Sequence, residues 1–128
     1  MGIKENTVSA EKQTRERGNV FYYGSEKADK KILIVGNSIT YHAPKEEIDW
    51  NNSWGMAASR AENDYVHILT GKILSQAPAN IMVAQLADME VAINNGSFCV
   101  KDYVSEREFA PDILIFKLGE NIKPDINK

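Results

Sequence analysis

Apolar residues run almost without alternation over residues 32–35, 81–83 and 113–118. Short runs of this kind, rich in β-branched side chains, are what strands covered on both faces require. Three buried parallel strands are therefore predicted, at residues 32–35, 80–84 and 113–118. Between the first two, Val66, Leu69, Ile73 and Leu74 fall on one face at helical spacing. Ser59-Arg60-Ala61-Glu62 has the form of a capping box, so a helix is predicted from there through about Ser75, covering the sheet. Residues 86–98 have no decisive period, and a loop with a helical turn around residues 89–93, ended by Asn94-Asn95-Gly96, fits them. Residues 101–109 predict a short helix with Tyr103 and Val104 as its apolar contacts. The aromatic run at residues 20–23, closed by Gly24, fits an edge strand or a flap packed on the sheet. Residues 1–18 are polar and charge-mixed with no apolar period, which reads as a flexible arm. Two units result: an amino-terminal arm, 1–24, and an α/β domain, 25–128.

The order strand, helix, strand, helix, strand with right-handed crossovers leaves few topologies. In the flavodoxin-like arrangement the first strand is central, the second lies on one side and the third on the other. Ligands bind at the carboxyl edge of such sheets. There the first strand is broken by Gly36 and followed by Asn37, Ser38 and Thr40, and the third by Gly119, Glu120 and Asn121. A glycine that allows a sharp turn, followed at once by a serine, presents a hydroxyl beside free amide groups, the geometry a serine nucleophile needs. A plain strand-to-loop turn whose Ser and Thr satisfy backbone groups is the other reading of the same residues. The long connection at residues 43–58, with Trp50, Asn51, Asn52, Ser53, Trp54 and Gly55, reads either as a binding wall or as a cap on the core edge.

Composition narrows the field. The chain has 128 residues and a formal net charge of -3, which fits one domain and argues against a nucleic-acid or membrane surface. No apolar run approaches a membrane span and the amino terminus has no apolar signal core. The expected location is cytoplasmic; a removed signal peptide, in a secreted or periplasmic protein, would leave the same appearance. The single cysteine, Cys99, reads as a small buried side chain. No Cys or His cluster points to a structural zinc, and neither metal nor cofactor is expected.

Gly36-Asn37-Ser38-Ile39-Thr40 resembles the first block of the SGNH hydrolases, the GDSL-type esterases and lipases, and residues 111–121, ending Gly119-Glu120-Asn121, resemble their third block. The resemblance covers roughly residues 31–122. It implies a flavodoxin-like three-layer α/β/α fold with a parallel sheet, here stopping after the third strand, and hydrolysis of short acyl esters, often on carbohydrate. By that resemblance Ser38 is the nucleophile and its own N–H an oxyanion donor, and the Asn121 side chain is a second donor. Asn37, Trp54, Gly55, Gly119 and Glu120 are the accompanying candidate substrate contacts.

The chain departs from the family at several places. Asn37 and Ile122 stand where aspartates are usual. Gln85-Leu86-Ala87, after the second strand, lacks the family's glycine, and the chain ends before a closing D-x-x-H block. A serine without a general base is a weak nucleophile at neutral pH. His42, four residues after Ser38, is the candidate substitute, and His67 reads as a surface or boundary residue of the covering helix.

A third strand that is apolar on both faces and lies at an edge is a template for association. Pairing of third strands in a homo-oligomer, or a missing carboxyl-terminal segment, is expected to complete it. Three functions stay open: an SGNH-type esterase or deacetylase with little or no activity as this chain, a non-catalytic binding module gripping a sugar or small ligand with Trp50 and Trp54, and a phosphate or nucleotide binder. The last is disfavoured by the absence of a glycine-rich run or a Lys-Ser/Thr pair.

Overall fold

The computed structural model describes residues 4–5 and 20–124. They form an α/β domain in the order β1 (Lys4–Glu5), β2 (Val20–Gly24), β3 (Lys31–Gly36), α1 (Tyr65–Gln76), β4 (Asn80–Gln85), α2 (Ala87–Asn95), α3 (Val104–Phe109) and β5 (Ile113–Lys117). The three expected strands and the helix between the first two are present. Apart from Lys4–Glu5, the segment read as a flexible arm lies outside the described residues.

The sheet has the order β1-β2-β4-β3-β5. β3 is parallel to both β4 and β5, whereas β2 is antiparallel to β4 and to β1. The expected parallel sheet is therefore mixed, and the boundary drawn at residue 24 cuts through it. Only residues 25–30 separate β2 from β3, too few for the crossover that parallel strands need. β2 must run back against the direction of β3, and hence against β4. Val20 and Phe21 are buried, as core members of the sheet.

Successive residues of the central strands point to opposite faces. On one face Phe21, Ile32, Ile34, Ile81 and Val83 pack with Val66 and with Leu69, Ile73 and Leu74 of α1. On the other, Leu33, Val35, Met82 and Ala84 pack with Leu86, Tyr103, Met89 and Phe109, from α2, α3 and their approaches. The helical face expected for α1 is the one it buries.

Its start differs from expectation. Residues 61–63 form a 3₁₀ turn, and the N-cap is Asp64, whose side chain accepts the His67 N–H. Ser59 and Glu62 make no capping box. Cys99 is exposed rather than buried. At β5 the pattern is met only in part: Ile113, Leu114 and Phe116 are 46%, 56% and 53% exposed, because β5 is an edge paired with β3 and, of its residues, Ile115 is the one packed against a core cluster, on the α1 side. Among the described residues, no helix is long and apolar enough to cross a membrane.

Candidate functional site

β3 ends at Gly36, where a side chain has no room: an added Cβ would collide with Thr40 and lie 3.0 Å from the Lys117 carbonyl oxygen. Close approach of this kind is what glycine permits. The chain then folds into a tight turn around Asn37, whose carbonyl accepts the Thr40 and Tyr41 N–H groups at 2.9 and 3.1 Å. The Asn37 side-chain oxygen accepts the Ile39 N–H at 3.1 Å. Such local bonds are why asparagine suits a turn after a strand. Ser38 is half-buried at the crest, and its carbonyl accepts the Met56 N–H at 3.0 Å. Among the described residues neither the Ser38 hydroxyl nor its N–H has a hydrogen-bond partner.

The turn after β5 lies beside it, because β3 and β5 are paired neighbours. Gly119 takes φ +126 there, a backbone region that favours glycine. The two turns meet on a residue that sequence reasoning passed over. Glu90 of α2, 1% exposed, accepts the Gly119 N–H at 3.0 Å and the Asn121 N–H at 2.9 Å on Oε2. Its Oε1 accepts the Asn121 Nδ2 at 3.1 Å and the Asn37 Nδ2 at 3.2 Å. Burial alone would push the Glu90 pKa up, but the hydrogen bonds from Asn121, Asn37 and Gly119 outweigh it and hold the carboxyl below its ordinary value.

Asn37 Nδ2 also donates to Glu120 Oε2 at 2.8 Å, and Glu120 is ion-paired with Lys117. Asn94 of α2 finishes the tie: its Nδ2 donates to the Asn121 carbonyl at 2.9 Å and its Oδ1 accepts the Lys123 N–H at 2.7 Å.

Of the candidates read from sequence, then, Asn37, Gly119, Glu120 and Asn121 come together next to Ser38. Asn37 is 1% exposed, so it braces the turn from inside and offers no surface to a substrate. Asn121 is exposed, and an amide nitrogen has two hydrogens, of which Glu90 takes one.

The remaining candidates belong to a different network. The His42 Nδ1–H donates to the Ala43 carbonyl, and among the described residues no hydrogen bond joins His42 to Ser38. Trp50 Nε1 donates to the His42 carbonyl at 3.1 Å and Trp54 Nε1 to the Ala58 carbonyl at 2.8 Å. The two indoles meet edge to face at 6.0 Å between centroids. Together with backbone bridges between His42 and Trp54 and between Lys45 and Trp50, they brace the long connection internally. Gly55, a candidate substrate contact, is buried and its N–H donates to Asp64 Oδ2 at 3.1 Å, so that amide is already engaged.

His67, expected only as a surface or boundary residue, has a carboxylate partner. Its Nδ1–H donates to Asp64 Oδ1 at 2.7 Å, and the Tyr23 hydroxyl stands 3.5 Å from Nε2. The string Asp64-Tyr65-Val66-His67 puts an acid three residues before a histidine, a signal visible in the sequence that the reading of His67 as a surface or boundary residue leaves unused. Asp64 is buried, which raises its pKa, yet bonds from His67 and Gly55 bring it below the ordinary value. The Asp64 bond raises that of His67 against the effect of burial. Burial and the nearby Asp64 charge push Tyr23 up to about 12. The pair lines a small pocket with Tyr23, Thr40, Tyr41 and Ser53, and Ser38 is not among its walls. Thr40 and Tyr65 share a hydrogen bond that ties the Ser38 turn to α1.

No protein-family model, curated protein or solved structure matches the chain.

Proposed function

We propose that this chain is the nucleophile-bearing part of an SGNH-type serine esterase or deacetylase, acting on short acyl esters, with carbohydrate esters as one substrate class. The proposed frame is the flavodoxin-like α/β/α arrangement, a reading supported by parallel strands in the order second, first, third and by helices on both faces. One observation carries the assignment. Ser38 sits on a turn at a strand's carboxyl end with its hydroxyl and N–H unengaged, beside a second turn that holds an exposed carboxamide, Asn121. In the proposed reaction the Ser38 oxygen attacks the acyl carbon, and the Ser38 N–H with Asn121 Nδ2 stabilises the oxyanion. A donor of this type is worth on the order of 3 kcal/mol. Because neither His42 nor His67 bonds to Ser38, turnover by the chain alone is expected to be slow or absent.

The test is hydrolysis of a short-chain aryl acetate by the purified chain and by Ser38→Ala. Any enzymatic release should vanish in the variant; release that persists unchanged would sink the role of Ser38. The absence of a base beside Ser38 favours one second reading, a non-catalytic module that binds a carbohydrate or small ligand in the same crevice. Saturable sugar binding that survives Ser38→Ala, without turnover, would select it.

We further place the partner contact on β5, as pairing with a second copy or with a following chain segment. Its support is the exposure of Ile113, Leu114 and Phe116 along an edge that pairs only with β3. Sedimentation of the wild type beside Phe116→Lys should show loss of association in the variant; a monomeric wild type would exclude the second copy.

A further inference from the structure

A buried carboxylate is costly unless its lone pairs are filled, and every donor that fills those of Glu90 comes from the two turns at the crevice. The adjoining residues of the same segment, Leu86 and Met89, hold the sheet by apolar contact. Glu90 does something such contact cannot do: it binds both the backbone N–H and the side-chain Nδ2 of Asn121, one on each oxygen. A residue held at its main chain and its side chain by one rigid group has little freedom left to rotate. The same carboxylate reaches Asn37, the residue before Ser38.

We propose that Glu90 is the positioning residue of the crevice: its carboxylate fixes the Asn121 carboxamide and the Ser38 turn in one frame, so that donor and nucleophile are arranged before a substrate arrives. The inference rests on the serine-hydrolase reading above. Preorganised donors act without reorganisation during reaction, and a donor left to move loses most of its effect.

The experiment uses stoichiometric labelling by an excess of an alkyl fluorophosphonate at alkaline pH, which needs no turnover and lets solvent hydroxide act where no side chain serves as base. The Ser38 oxygen attacks phosphorus, the O–P bond forms, the P–F bond breaks, fluoride leaves and the hydroxyl proton passes to hydroxide, giving water. Labelling rates are measured by mass spectrometry for the wild type, Glu90→Gln, Asn121→Ala and the double variant, with Ser38→Ala as the blank.

Each single variant is expected to label about a hundredfold more slowly than the wild type. The double variant is expected to be no slower than the slower single, because Glu90 acts through Asn121. Folded Glu90→Gln that labels at the wild-type rate, or two losses that multiply, would overturn the proposal.

Amide hydrogen exchange on the wild type keeps the test independent of variant folding. The Gly119 and Asn121 amides should exchange about a hundredfold more slowly than unprotected amides, and unprotected exchange there would also overturn it. A wild type that never labels at Ser38 while those amides are protected defeats the hydrolase reading, and the positioning role falls with it; Glu90 is then a brace between loops.

Discussion

The two helices that follow β3 and β4 use opposite chemistry on the faces they bury. α1 turns Val66, Leu69, Ile73 and Leu74 toward the sheet. In α2 the buried residues are Asp88 and Glu90, while Val91 and Ile93 are 50% and 39% exposed. Packing of α1 is driven by removal of apolar surface from water, which needs no particular direction. Glu90 instead contributes through hydrogen bonds that demand specific donors at specific places. The first helix holds the sheet together, and the second orients the turns at its edge. The lesson is that a helix beside a site can give up amphipathic packing when its position is secured by what it binds.

That contrast can be broken most sharply at Asn37. With Glu90 and Glu120 both converging on its amide, residue 37 must donate, so Asn37→Asp would set a third carboxylate among them. A loss of about 4 kcal/mol at neutral pH is expected in denaturant titrations, shrinking toward acid as the carboxylates share protons. Asparagine at position 37 thus has a local physical reason. Glu90→Leu comes next. By the logic of α1 it would stabilise, but it orphans the donors of Gly119, Asn121 and Asn37, and about 3 kcal/mol of destabilisation is expected; a more stable Leu variant would erase the distinction between the helices. Val66→Ala in α1 should cost about 2 kcal/mol by cavity formation. Val91→Lys, on the exposed apolar face of α2, should stay within about 0.5 kcal/mol of the wild type by the same titration.

The pH dependence separates the same two regions. Glu90 and Asp64 hold their carboxyls below the ordinary values of 4.5 and 3.8. Their contributions are complete above those values and are lost as pH falls through the lowered folded ones. His67 is raised above its ordinary 6.5, so its contribution is complete below that value and is lost as pH rises through the folded pKa. Stability against denaturant should therefore peak between about pH 4.5 and 6.5. Glu90→Gln should flatten part of the acid limb and leave the alkaline limb, which belongs to the α1 side, in place. An unchanged acid limb would show that Glu90 is not held as a buried carboxylate.

Much of the frame was legible because its cause is local. Residues 32–35, 81–83 and 113–117 form strands since short, nearly continuous apolar runs rich in β-branched residues have few other uses. Val66, Leu69, Ile73 and Leu74 lie on one helical face by period alone. Ser38 and Asn121 were found as polar residues placed just after strands, and the sheet order puts their turns side by side. Other features were hidden. Glu90 lies in a segment whose exposed valine and isoleucine cancel any period, and its partners are 29 to 53 residues away in sequence. The antiparallel placement of β2 depends on where a short loop can carry the chain.

The amino-acid sequence by itself determined which segments are strand and helix and which polar residues sit at strand ends, because backbone propensity and side-chain period act over a few neighbours. Tertiary structure alone decided that Asn37 and Asn121 meet on one buried glutamate, that His67 pairs with Asp64 beside Tyr23, and that Ile113, Leu114 and Phe116 of β5 are left exposed. Those outcomes depend on directional hydrogen bonds and burial between distant residues, which no local pattern encodes.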